Sequence, residues 1–251
     1  MNKRPFFLIC FVFLINIVSA QSIPSFVKDS LDTYIIESMQ AWKIPGVAVC
    51  IVKDGKVIHQ KGYGLTQLGN DEKVSEQTLF PIASVSKQFI GAALATLEAQ
   101  GKVSLDDKLE KWLPEFEMKD KDYQRQIILA DLLSHRSGWK TFQGDLLNTE
   151  SSMDVPAMLQ KFGQITPAYP IRTRFGYSNF GYLLAGETIK PIYGKDWRYF
   201  LQATIFDPLN MRRTLIHADA INKASDIVSD HTLKKNQVVV LPAGKPDPQP
   251  Q

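Results

Sequence analysis

The chain has 251 residues, of which 44% are apolar, 22% charged and 10% aromatic. That composition excludes collagen-like, low-complexity and wholly disordered chains. The formal net charge is +3, and without Lys3 and Arg4, which belong to an N-terminal leader, 27 basic residues face 26 acidic ones. A near-neutral balance with no basic block gives no electrostatic footprint for nucleic acid.

Residues 1–20 read as a signal peptide. Lys3 and Arg4 precede the apolar run Phe6 to Ile15, and Val18-Ser19-Ala20 supplies the small residues of a cleavage site before Gln21. Only Ile17 and Val18 extend the run past Asn16, well short of the roughly 20 residues that span a bilayer. No membrane span is expected after cleavage, and the location expected is periplasmic or secreted. The mature chain keeps one cysteine, Cys50, and therefore no internal disulfide.

In chain order, Pro24 to Gln40 has helical apolar spacing. Gly46 to Val52 is a continuous apolar run, followed by Asp54-Gly55 and a second short strand, Val57 to Lys61. This is a two-residue hairpin, with Cys50 expected in a buried packing role. Ser84 to Gly101 leaves little polar face and predicts a helix buried on nearly all sides, stopped at Gly101. From 104 to 206 short helices alternate with Pro and Gly: Asp106 to Trp112, Ile127 to Ser134, Val155 to Phe162, Asn179 to Ile189 and Trp197 to Ile205. Gln237 to Leu241 can form a strand, and Ala243 to Gln251 reads as loop or linker.

Several chemistries are weakly supported. His59, His135, His217 and His231 are scattered, without a metal-ligand spacing. The stretch Gly176 to Gly181 is one residue too long for a nucleophile elbow, and Gly62-Tyr63-Gly64 lacks the third glycine of a dinucleotide loop.

Ser-x-x-Lys occurs three times, at Ser25/Lys28, Ser84/Lys87 and Ser137/Lys140. Residues three apart on a helix share a face, so the amine reaches the hydroxyl. In the first pair serine is expected to cap an amphipathic helix and lysine to face solvent. In the third, Gly138 breaks the helical geometry. Ser84 and Lys87 instead open the most apolar helix. There, free backbone N–H groups can stabilise an oxyanion, while desolvation and the helix dipole favour a neutral amine. The plainer reading is an N-cap serine and a surface lysine. The sequence Tyr177-Ser178-Asn179, unique in the chain, adds a hydroxyl able to relay a proton and an amide able to orient substrate or amine.

Together with Pro45 to Gly64, Phe80 to Phe89, Gly101 to Phe116, Leu132 to Trp139 and Asp207 to Thr214, these motifs resemble the serine β-lactamase and penicillin-binding protein superfamily. The similarity is to the branch holding class C β-lactamases, D-Ala-D-Ala carboxypeptidases and related esterases. The resemblance implies an α+β fold: an antiparallel sheet flanked by helices, with a mostly helical subdomain over 104–206 inside a domain of 21–251.

It also implies a serine hydrolase acting on a β-lactam, a stem peptide or an ester through a Ser84 acyl-enzyme. Lys87 and Tyr177 would share the base work, Asn179 would contact substrate or hold Lys87, and no cofactor or metal is needed. His135 is expected to be structural. The family's later Lys/His-x-Gly strand has no match after Tyr177, since Lys53-Asp54-Gly55 and Lys161-Phe162-Gly163 both come earlier. The sheet is therefore expected to be incomplete and the gene to continue past Gln251. A non-catalytic binding relative and a non-functional truncated fragment are the alternatives left open.

Overall fold

The computed structural model describes residues 23–147 and 152–241. The expected signal peptide at 1–20 and the expected loop or linker at 243–251 lie outside the described residues. The N-terminal amphipathic segment forms α1 (Ser25–Asp29) and α2 (Leu31–Trp42), broken at Ser30. Ser25 is the first helical residue of α1 rather than its cap, a place taken by Pro24.

The hairpin forms as expected. β1 (Gly46–Lys53) pairs antiparallel with β2 (Lys56–Gly64). Asp54 and Gly55 turn at φ 50° and 74°, the left-handed pair that a tight hairpin requires. Ile51 pairs with His59 and Val52 with Val57, so Ile58 is the extra residue of a bulge. Gly62 lets β2 run against the chain at Val74, because a Cβ there would lie 2.3 Å from the Val74 carbonyl oxygen. The inner face, Val47, Val49 and Ile51, packs on Leu31 and Ile35 of α2 together with Tyr63. Cys50 is exposed, contrary to the expectation of burial. Alternation along a strand turns it away from α2, the helix layer that covers the inner face of this hairpin.

A short 3-10 turn, Ala83–Ser86, leads into α3 (Lys87–Ala99), which ends before Gly101 at φ 69°. Lys87, Ile90, Ala93, Leu94 and Leu97 of α3 are buried, whereas Ala92, Ala95 and Ala99 are exposed. The helix is thus buried along one face, not on nearly all sides. Alanine is compatible with either side of a helix, so its apolar count overstated the stripe.

The short helices follow: α4 (Leu109–Trp112), α5 (Lys121–Gln124), α6 (Leu129–Leu133), α7 (Val155–Gly163), α8 (Asn179–Glu187), α9 (Ile189–Tyr193), α10 (Trp197–Leu201) and α11 (Ala218–Lys223). Leu94, Leu97, Leu109, Leu132, Phe162 and Leu184 are among the side chains that join α4 to α10 with α3 in one core. A second hairpin, β3 (His231–Lys234) with β4 (Gln237–Val240), turns through Lys235 and Asn236 at φ 48° and 65°. Among the described residues the two hairpins form separate two-stranded sheets. The chain at 226–231 is stitched to 66–79 by Asp226, whose carboxylate accepts from the Thr78 hydroxyl at 2.6 Å, and by backbone bonds of Leu79, Val228 and Ser229.

Candidate active site

Three chain segments meet at Lys87. It is the first residue of α3, 6% exposed, and its Nζ donates to Ser84 Oγ at 3.1 Å and to Asn179 Oδ1 at 2.7 Å. Ser84 lies in the 3-10 turn and is exposed. The residue before it, Ala83, has φ 44°, a left-handed conformation that an alanine side chain resists. Asn179 is the first residue of α8, whose cap is Ser178 Oγ, accepting from the Gly181 N–H at 3.0 Å.

The amine also lies 4.9 Å from the ring centre of Tyr177 and 5.7 Å from that of Tyr182. Tyr177 thus meets Lys87 through its ring face, a cation–π contact. The Tyr177 segment is fixed by its neighbours. Its N–H donates to Thr141 Oγ1 at 3.2 Å, and its carbonyl accepts from the Phe142 N–H at 2.8 Å. Gly176 permits this approach, since a Cβ there would fall 1.8 Å from the Trp139 carbonyl oxygen.

Of the residues singled out in the sequence, Ser84, Lys87, Tyr177 and Asn179 come together. The other Ser-x-x-Lys pairs do not form sites of this kind. Ser25 and Lys28 are both exposed, and Ser137 is buried while Lys140 is exposed. Among the described residues no cluster of three or more His, Cys, Asp or Glu groups is arranged to hold a metal ion.

Two polar residues around the site lie outside the Ser-x-x-Lys and Tyr-x-Asn motifs. Asp145 accepts from Asn179 Nδ2 at 2.8 Å, and burial pushes its carboxyl above the usual aspartate value. His135, at φ 58°, accepts the Ser178 N–H on Nδ1 at 3.0 Å and packs its ring 4.5 Å from that of Tyr177. Burial first, and the charge of Lys87 second, hold His135 below its ordinary value. The unfolded chain therefore takes up a proton near pH 6.5 while folded His135 stays neutral. Its contribution to stability is present above that pH and is lost as the pH falls toward the folded value. The unfolding temperature should accordingly drop between pH 7.5 and 5.5 by less in His135→Asn, which keeps an acceptor for Ser178, than in the wild type. Equal drops in thermal melts would remove His135 from the pH response. Asp145, with its raised value, acts in the opposite sense in both proteins.

The family model described as Beta-lactamase matches residues 31–249. The chain belongs to the Beta-lactamase family. Its curated relatives include "Protein flp" of Staphylococcus aureus (strain NCTC 8325 / PS 47), 29% identical over 194 residues, which cover 74% of this chain and 38% of that protein. The octameric penicillin-binding protein homologue from Pyrococcus abyssi aligns with a TM-score of 0.68 and 26% identity over 84% of this chain and 49% of the other. A class C beta-lactamase aligns at 0.71 and 24% identity, covering 90% and 60%. These likenesses establish the α+β β-lactamase/transpeptidase-like fold. The chain spans 38% of the length of flp, 49% of the Pyrococcus abyssi structure and 60% of the class C beta-lactamase. Among the described residues no helix is long and apolar enough to cross a membrane.

Proposed function

We propose that the chain carries the nucleophile of an exported serine hydrolase, which opens an amide or ester carbonyl through a Ser84 acyl-enzyme. The observation that carries this reading is the contact of the buried Lys87 amine with Ser84 Oγ at 3.1 Å. Acting as base at that distance, the amine takes the serine proton as Oγ attacks the carbonyl carbon, and the tetrahedral oxyanion forms. The proton then passes to the leaving nitrogen or oxygen, with the Tyr177 hydroxyl as relay, and the carbonyl re-forms as the acyl-enzyme. Water releases the acid and restores the Ser84 hydroxyl. Asn179 keeps the amine from swinging away, because its Oδ1 is the second acceptor of Nζ at 2.7 Å.

β-Lactams, D-Ala-D-Ala peptides and simple esters all present such a carbonyl. Family membership supports the reaction class and leaves the choice among these substrates to assay. Export rests on the leader at residues 1–20. Chain produced with its leader should be recovered outside the cytoplasm beginning at Gln21. It should be labelled there by a fluorescent penicillin or an activated phosphonate, with the label lost in Ser84→Ala. A folded wild-type chain that takes up neither probe would refute the hydrolase reading, and an intact leader on the recovered protein would refute export.

A further inference from the structure

We infer that Asp145 is a positioning residue of this site: its carboxylate selects the orientation of the Asn179 amide and thereby sets the Lys87 amine against Ser84. The inference rests on the serine-hydrolase reading above.

A side-chain amide is nearly symmetric in shape, and its partners decide which end is oxygen. A carboxylate can only accept. With Asp145 Oδ2 2.8 Å from Asn179 Nδ2, the nitrogen end of the amide must face Asp145. The oxygen end is then left for Lys87 Nζ at 2.7 Å, and the same Nζ reaches Ser84 Oγ at 3.1 Å. Turning the amide over would set oxygen against carboxylate and N–H donors against the amine's own donors. Both contacts would be repulsive, so Asp145 eliminates one of the two orientations.

The carboxylate is itself held by the Tyr177 segment. Asp145 opens the 3-10 turn Asp145–Leu147. The turn follows Phe142, which has φ 61° and donates its N–H to the Tyr177 carbonyl. Gln143 closes the same loop twice, accepting from the Lys140 N–H at 2.9 Å and donating to the Thr166 carbonyl at 2.8 Å. Thr141 accepts from the Tyr177 N–H, so one loop presents Asp145 to Asn179 and supports Tyr177.

Burial raises the carboxyl's proton affinity, and the Asn179 hydrogen bond and the Lys87 charge oppose that rise. The groups facing Lys87 are Ser84, Asn179, the rings of Tyr177 and Tyr182, and His135 and Asp145 through its charge. Asp145 is the acidic group in this set.

The test compares wild type with Asp145→Asn, which keeps the side-chain shape. The second-order rate constant for phosphonate labelling of Ser84, measured from pH 5 to 9, should fall about tenfold at its plateau as the amide loses its fixed orientation. An unchanged rate constant overturns the inference. A second readout needs neither activity nor a variant. The Asn179 side-chain amide resonance of the wild type should titrate with Asp145, with an inflection above the ordinary aspartate value of 3.8. Absence of that inflection also overturns the inference. A wild type that is never labelled refutes the hydrolase reading instead, and the amide resonance then decides on Asp145 by itself.

Discussion

Replacing Lys87 with methionine is expected to slow acylation of Ser84 by about 10³-fold while leaving the chain folded. The two effects separate because the lysine's chemistry and its packing are different properties. Its amine is the group within reach of Ser84 Oγ, so its loss removes the proton acceptor outright. Its stem is buried at the start of α3, with the rings of Tyr177 and Tyr182 beside the amine. Methionine has similar length, and its sulfur packs well against aromatic rings. Asn179 Oδ1 loses its donor, at a cost of about 1 kcal/mol. Placing an apolar side chain where a polar one was buried offsets that cost. Thermal unfolding should therefore match wild type or rise slightly. Labelling of Lys87→Met at the wild-type rate would exclude Lys87 from the reaction.

Phe162→Ala should destabilise the fold by about 3–5 kcal/mol, a large part of the roughly 5–15 kcal/mol that a domain possesses. The side chain is fully buried, stacked on Phe180 at 4.3 Å between centroids, with Trp139 at 4.6 Å. Both neighbours lie close to the site in sequence. Phe180 follows Asn179, and Trp139 accepts the close approach of Gly176. The ring also packs directly against the loop that carries Asp145, since a Cβ at Gly144 would meet it at 2.6 Å. The expected deficit should appear in urea unfolding as a lower midpoint with an unchanged slope. A deficit below about 1 kcal/mol would mean that the surrounding helices close the cavity.

The local signals were the legible ones. Asp54-Gly55 marked a hairpin because few residue pairs suit two successive left-handed positions. Ser84 and Lys87 carried a motif whose i,i+3 spacing is itself a geometric statement. Tyr177 and Asn179 could be placed beside them through the family resemblance, although 92 residues separate Lys87 from Asn179. Asp145 was not legible. It lies 34 residues from its partner Asn179, in a loop whose course is set by contacts to Tyr177 and Phe162 rather than by any repeat or spacing. Cys50 was misplaced because an unbroken apolar run does not reveal how many layers cover a strand. The strand β3 escaped notice because Lys235-Asn236 is a less familiar turn pair than Asp-Gly.

Ala83, His135 and Phe142 hold φ values of 44°, 58° and 61°, and each adjoins a part of the site. Ala83 precedes Ser84, His135 receives the Ser178 amide, and Phe142 binds the Tyr177 carbonyl. Left-handed backbone at a residue with a side chain costs of the order of 1–3 kcal/mol. Glycine at any of the three would relieve the strain, yet would also remove the rigidity that fixes the adjoining group. Selection for thermal endurance and selection for a fixed reaction geometry therefore pull these three positions in opposite directions. A consensus-style stabilisation of this chain would erode the proposed activity first at these turns, before any reacting atom had been altered.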